Sequence, residues 1–299
     1  FQLREWLHGY VYGRWPYLYI GLGTGEHPLT KAVLPPLRWL CQRLGLWEPR
    51  NPDSGPSAGA KSFADSYHGK VVPLDNAQRL VSVQRDLEIR NLERIIPYTT
   101  ARDIVLRDPQ HIAVLRCPCR ASRQDPCEPL DVCLIVGEPF AGFITEHHPD
   151  RARMISQEEA LEILEGEDRR GHVHHAFFKE AMIGRFYAIC NCCSCCCGAM
   201  QAQRNGVPML ASSGYICRVA EDSACTQCGQ CVRKCQFAAI VENAAGTVTV
   251  DAEKCMGCGV CVNNCPTGAL VLERAPEKGE PLDMGALMEQ ELQRLSRPA

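Results

Sequence analysis

The chain has 299 residues, of which 45% are hydrophobic and 22% charged, with a net charge of -3 at pH 7. That length sets an expectation of about two domains. A charge balance so near neutral gives no basis for a nucleic-acid partner or any other polyanion.

All four tryptophans (Trp6, Trp15, Trp39 and Trp47) fall in the first 47 residues, together with Tyr10, Tyr12, Tyr17 and Tyr19. Residues 1–47 therefore read as an aromatic arm that docks on a partner subunit or back on its own domain. The presence of Arg4, His8 and Arg14 among the aromatics leaves peripheral membrane contact open. Residues 48–70, which begin with a Pro, Gly, Ser and Ala stretch, read as a linker.

Residues 71–212 read as a small cysteine-rich α+β domain. "NAQRLVSVQRDLEIRNLERI" from Asn76 predicts a polar-faced helix, and "HIAVLRC" at 111–117 and "VCLIVG" at 132–137 predict strands. Ser156 and Glu159 form a capping box for a helix that Gly171 closes. "RFYAIC" at 185–190 is a further strand, running into "CNCCSCCCG". His111, His147, His148, His172, His174 and His175 are available ligands. No carboxylate is placed beside them by the sequence, so a histidine metal site is not expected.

Twenty cysteines are bunched at 117–133, 190–197 and 217–265, with Cys41 alone. A disulfide framework would spread them, and adjacent cysteines such as Cys192 and Cys193 pair poorly. Metal or cluster binding fits better. No basic segment followed by an apolar run is visible, and no apolar run approaches 18 residues, so a cytoplasmic protein with reduced thiols is expected. Membrane association would then come through the arm or a partner.

Residues 213–274 carry the sharpest pattern. "CTQCGQCVRKCQ" from Cys225 and "CMGCGVCVNNCP" from Cys255 repeat C-x2-C-x2-C-x3-C, with seven identities over sixteen positions. This segment resembles the bacterial two-cluster ferredoxin, and the resemblance implies two [4Fe-4S] clusters. Three cysteines wrap each cluster and the fourth serves the other one. By that resemblance Cys225, Cys228, Cys231 and Cys265 serve one cluster, and Cys255, Cys258, Cys261 and Cys235 the other. The family's proline follows Cys265 as Pro266, but Gln236 follows Cys235. A pair of zinc sites is poorly matched to this spacing.

Setting aside Cys41 and Cys217, ten upstream thiols remain. Cys117, Cys119, Cys127, Cys133, Cys190, Cys192, Cys193, Cys195 and Cys196 are the candidate ligands for one or two additional iron-sulfur clusters. Cys190, Cys193 and Cys196 reproduce the C-x2-C-x2-C spacing, with a fourth ligand expected from "CPC" at 117–119. Which of Cys192, Cys195 and Cys197 joins a second cluster stays open, as do a zinc or soft-metal thiolate site and free thiols. Residues 111–200 are loosely similar to ferredoxin-fused iron-sulfur proteins of anaerobes.

Residues 275–299 read as a C-terminal helix whose Met284, Leu287, Met288, Leu292 and Leu295 form a stripe for the protein's own core. No nucleotide loop or nucleophile elbow is present. The expectation is an iron-sulfur electron-transfer protein or subunit, relaying single electrons to redox partner proteins in a larger oxidoreductase complex. A reductase acting on a substrate such as a disulfide, and a metal-thiolate storage or sensor module, are the alternatives.

Overall fold

The computed structural model describes residues 3–30, 32, 36, 43, 63–90, 92–100, 102–220, 225–243 and 246–296. Trp39, Cys41, Trp47 and residues 48–62 of the expected linker lie outside them. Two helices, α1 (Leu3–Arg14) and α2 (Pro16–Gly23), are followed by a short turn of helix, α3 (Phe63–Ser66), and then β1 (Tyr67–Val71), α4 (Leu74–Val81), β2 (Leu87–Ile89), β3 (Ile104–Arg116) and α5 (Pro118–Ala121). Next come β4 (Asp131–Glu138), α6 (Phe140–His147), β5 (Ala152–Ile155), α7 (Gln157–Arg170), β6 (Val173–Lys179), β7 (Arg185–Cys192), α8 (Gly198–Arg204) and β8 (Leu210–Ala211). The C-terminal part comprises β9 (Tyr215–Val219), α9 (Gln230–Lys234), β10 (Ile240–Glu242), β11 (Val248–Val250), α10 (Val260–Asn263), β12 (Leu270–Arg274) and α11 (Met284–Ser296). The mixture of helices and strands fits the expected α+β class.

Eight strands form one sheet in the order β2-β3-β4-β7-β6-β1-β8, with β5 also paired to β3. Strand period two sorts the side chains onto its faces. Ile112, Val114, Leu134, Val136, Ala176, Phe178 and Ile189 enter one core beneath α4 and α7. Their neighbours Ala113, Leu115, Cys133, Ile135, Phe177 and Ala188 enter the other, beneath α6 and α8. The cysteines belong to that second face.

Two sequence expectations change. The end of the expected linker is β1, a strand between β6 and β8 whose Val71 is fully buried. The helix expected from Asn76 begins at Leu74 and stops at Val81, and β2 follows. Asn76 does not cap this helix; its Oδ1 accepts from the Met284 amide at 3.1 Å. Half of the α7 capping box is present: the Glu159 amide donates to Ser156 Oγ at 3.2 Å while the Glu159 carboxylate accepts from Arg153 at 2.9 Å, and Gly171 closes the helix with φ of 94°.

The aromatic arm docks on its own chain. Tyr12 is buried, its hydroxyl is 2.9 Å from that of Tyr187, and the Tyr17 hydroxyl donates to Arg116 O at 2.8 Å. Gly9 permits the approach, because a Cβ there would lie 2.1 Å from Ala181 O. The C-terminal stripe also turns inward. Leu282 and Met284 are buried, and Leu287 and Met288 pack on the same core, whereas Leu292 is 45% exposed. The side chain of Leu295 lies outside the described residues. Met284→Ala should cost about 2–5 kcal/mol in a denaturant titration. Leu292→Ala, at an exposed position, should stay within about 0.5 kcal/mol.

Candidate metal and cluster sites

In the C-terminal part the repeat is visible as geometry. Gly229 and Gly259 take left-handed conformations, with φ of 68° and 83°, and open α9 and α10. The amides of Ala239 and Ala269, offset by one repeat, donate to the sulfurs of Cys235 and Cys265, each at 3.3 Å. Cys225, Cys228, Cys231 and Cys265 line one hollow. Cys258 lies within the electrostatic reach of Cys261, Cys235 and Cys255. The first quartet thus lines a common space and the second lies within mutual electrostatic reach, with backbone N–H groups aimed at the sulfurs of Cys235, Cys265 and Cys255. That donor set fits a cluster of thiolate-ligated irons. Cys217, which the spacing left aside, is buried: its amide donates to Cys255 Sγ at 3.4 Å, and its thiol contacts Cys261. It falls outside the repeat, so no spacing could have marked it.

The upstream thiols divide differently from the expected frames. Period two on β7 puts Cys190 and Cys192 on one face, and the turn after Cys192 carries Cys193, Cys195 and Cys196 away before Cys197 returns at the start of α8. Six thiols then form a ring. Cys117 contacts Cys119 and Cys133, and Cys133 contacts Cys190, its cross-strand neighbour. Cys119 contacts Cys197, whose Sγ is 3.3 Å from Cys192, and Cys192 in turn feels Cys190. Cys190 is therefore grouped with Cys133 and Cys192, not with Cys193 and Cys196. Cys197, whose part the spacing leaves open, joins the ring from the start of α8, beside "CPC".

The other four, Cys127, Cys193, Cys195 and Cys196, have their sulfurs all within 4.8 Å of one another. Cys127 Sγ is 3.0 Å and Cys196 Sγ 3.5 Å from Cys195 Sγ. Side chains from α8 fix this turn, as Gln201 Nε2 donates to Cys195 O at 3.0 Å and Arg204 to Ser194 O at 2.7 Å. Arg123 donates to Cys196 O at 3.2 Å while pairing with Glu26 of the arm.

Hydrogen bonding to Cys119, partly offset by Cys133, together with burial pushes the Cys117 thiol up to about 12. Burial and contact with Cys195 likewise push Cys127 up to about 12. Burial also opposes ionisation of Cys195, but hydrogen bonds from Cys127, Cys193 and Cys196 hold it below the usual thiol range. Four neighbouring sulfurs cannot all carry charge in such a pocket without a cation, and a bound metal would ionise them.

A buried polar network separates the two thiol groups. Arg120 Nη2 donates to Glu167 Oε2 at 2.6 Å and to Asn191 O at 2.9 Å, and its charge reaches Cys117 of one group and Cys193 of the other. His172 Nδ1 lies 2.7 Å from Glu167 Oε2, and His174 Nδ1 2.6 Å from Asn191 Oδ1. Carboxylates therefore do stand beside these histidines, supplied by α7, which the local sequence could not show. His175, across from Cys190 in the β6–β7 pair, is fully buried, and desolvation lowers it to about 3. His111, His147 and His148 sit elsewhere, bonded to Glu138, Phe143 O and Gly13 O respectively.

Gln236 explains the missing proline. Its Oε1 accepts from the Ser194 amide at 2.8 Å, and its Nε2 donates to Gly171 O at 2.9 Å. Proline could do neither. Asn263 and Asn264 complete the joint by donating to Asp168, and Lys234 donates to Arg169 O at 2.6 Å.

The family described as the 4Fe-4S dicluster domain matches residues 218–272. No match to a curated protein was found for the chain. The family match supports a C-terminal ferredoxin-type domain with [4Fe-4S] cofactors, and with the thiol groups upstream it points to iron-sulfur electron transfer. The upstream thiols lie outside the matched residues. Among the described residues no helix is long and apolar enough to cross a membrane.

Gln236→Ala removes two hydrogen bonds of about 1 kcal/mol each, so the Ser194 amide should exchange with solvent roughly ten- to thirty-fold faster. Native-state hydrogen exchange by mass spectrometry checks this, with the α7 amides as the unchanged control.

Proposed function

We propose that this chain is an electron relay. Cys225, Cys228, Cys231 and Cys265 hold one [4Fe-4S] cluster, Cys255, Cys258, Cys261 and Cys235 hold a second, and the six-thiol ring holds a further iron-sulfur cluster. Bound there, such groups take up and release single electrons at potentials set by the surrounding N–H···S bonds and burial. The observation that carries this reading is the Gln236 joint, which fastens the residue after Cys235 to Ser194, between Cys193 and Cys195. Cys225 and Cys228 are exposed. Their exposure offers a docking face for a redox partner protein within a larger oxidoreductase complex. The chain's own residues do the positioning: the Ala239 and Ala269 amides steady sulfur charge, and Arg120 supplies a fixed positive charge toward the ring.

One feature favours a second reading, in which the ring centre reduces a substrate such as a disulfide. A cavity of ≈ 590 Å³ adjoins the ring and is lined by Tyr12, Tyr187, Phe140, Phe143, Cys117 and Cys190 among others. Reducing one disulfide to two thiols takes two electrons and two protons. Burial holds Tyr12 and Tyr187 protonated, and their paired hydroxyls stand on the cavity wall.

Anaerobically purified chain should contain about twelve irons, and Cys133→Ser should lose those of the ring while the ferredoxin-type signals persist in EPR. Eight irons in the wild type would overturn the ring cluster. Turnover of a small aromatic disulfide by the dithionite-reduced chain, slowed by Tyr187→Phe, would select the reductase; its absence selects the relay.

A further inference from the structure

We propose that Cys127, Cys193, Cys195 and Cys196 hold a single tetrahedral metal ion, iron or zinc, as a centre separate from any iron-sulfur cluster. The argument is one of size. Four thiolates about 2.3 Å from one ion stand about 3.8 Å from each other. A cubane binds its ligands at four outer corners and spreads them to roughly 6 Å. The four sulfurs here lie between 3.0 Å, for Cys127 and Cys195, and the common limit of 4.8 Å. That range brackets the single-ion spacing and falls short of the cluster spacing. Among the described residues no other three cysteine, histidine or carboxylate ligand atoms gather so closely, the ferredoxin-type quartets included.

The donor set decides the class of ion. Four sulfurs and no oxygen exclude magnesium, calcium and manganese, and favour a thiophilic ion that accepts tetrahedral geometry. The surroundings are built for a fixed site. Cys193 and Cys196 are buried, and the Ser194, Cys195 and Cys196 carbonyls are each held by a side chain, from Arg204, Gln201 and Arg123 respectively. The Ser194 amide is held by Gln236. Cys127 reaches the site from a separate loop, so the ion would close a long loop as well as a turn. The centre is tied through the chain to the ring, since Cys192 and Cys197, the neighbours of Cys193 and Cys196, are ring members. It stands whether or not the ring holds a cluster.

Metal analysis of the full chain tests it. Cys127→Ser is expected to lose one equivalent of iron or zinc per chain, with the remaining iron and all inorganic sulfide unchanged. Loss of iron with a rhombic high-spin ferric EPR signal makes the centre redox-active, whereas loss of zinc makes it a clamp; both support a single ion. Loss of about four irons with matching sulfide would overturn the proposal, as would no loss at all. Should Cys127→Ser not fold, cobalt(II) loading of the wild type replaces it. One cobalt per chain with tetrahedral thiolate absorption supports the site, and octahedral spectra or no uptake overturn it.

Discussion

Repulsion between neighbouring sulfur charges governs this molecule. Two unit charges 4 Å apart repel by about 4 kcal/mol at an effective dielectric constant of 20, and in the six-thiol ring the Cys192 and Cys197 sulfurs stand 3.3 Å apart in a mostly buried space. The ring cannot ionise unaided: hydrogen bonding to Cys119, burial and the nearby sulfur charge push Cys117 up to about 12, and, despite the hydrogen bond of Cys192 with Cys197, burial with the neighbouring sulfur charges does the same to Cys192. Multivalent cations bridging the sulfurs remove the repulsion and convert it into binding. A chain that crowds ten thiols onto one end of β3, β4 and β7 and the turns beside them is therefore organised around what they bind.

The protein contributes one fixed charge of its own. Arg120 is buried between the two thiol groups and is held by Glu167, Asn191 and Pro129 O, so its position does not depend on either centre. Burying such a pair is rarely a net gain in stability. Its worth lies in placement, because a guanidinium there favours the reduced, more negative state of whatever the neighbouring thiolates hold. Glu167 tempers that effect: burial opposes its ionisation, but His172 and Arg120 keep it below the ordinary carboxyl range.

Legibility in the sequence followed the range of the interaction. The ferredoxin-type repeat was readable because its ligands recur at fixed short spacing, and the turns they need carry their own glycines. The α7 cap and the strands entering the cysteine loops were local as well. The partition of the upstream thiols was not. It depends on which face of β7 each cysteine takes and on where the turn after Cys192 redirects the chain, so the spacing of Cys190, Cys193 and Cys196 imitated a ligand frame that the strand divides. Strand β1 was hidden for a related reason: it pairs with β6, more than a hundred residues away, and abuts a linker-like stretch. Glu167 and Asp168 reach the histidines only because α7 packs beside β6.

Gln236 shows what a departure from a repeat can carry. In the second half, Cys265 is followed by Pro266, which has neither an N–H nor a side chain able to hydrogen-bond. In the first half, Cys235 adjoins the turn that presents Ser194, and the side chain at 236 spans the gap with one acceptor and one donor. The two halves of a duplicated unit thus diverged where one of them acquired an interface. Since Asp168, Asn263, Asn264 and Lys234 add contacts on the same side, the joint fastens the ferredoxin-type domain to the thiol turn and to α7 through several hydrogen bonds rather than one.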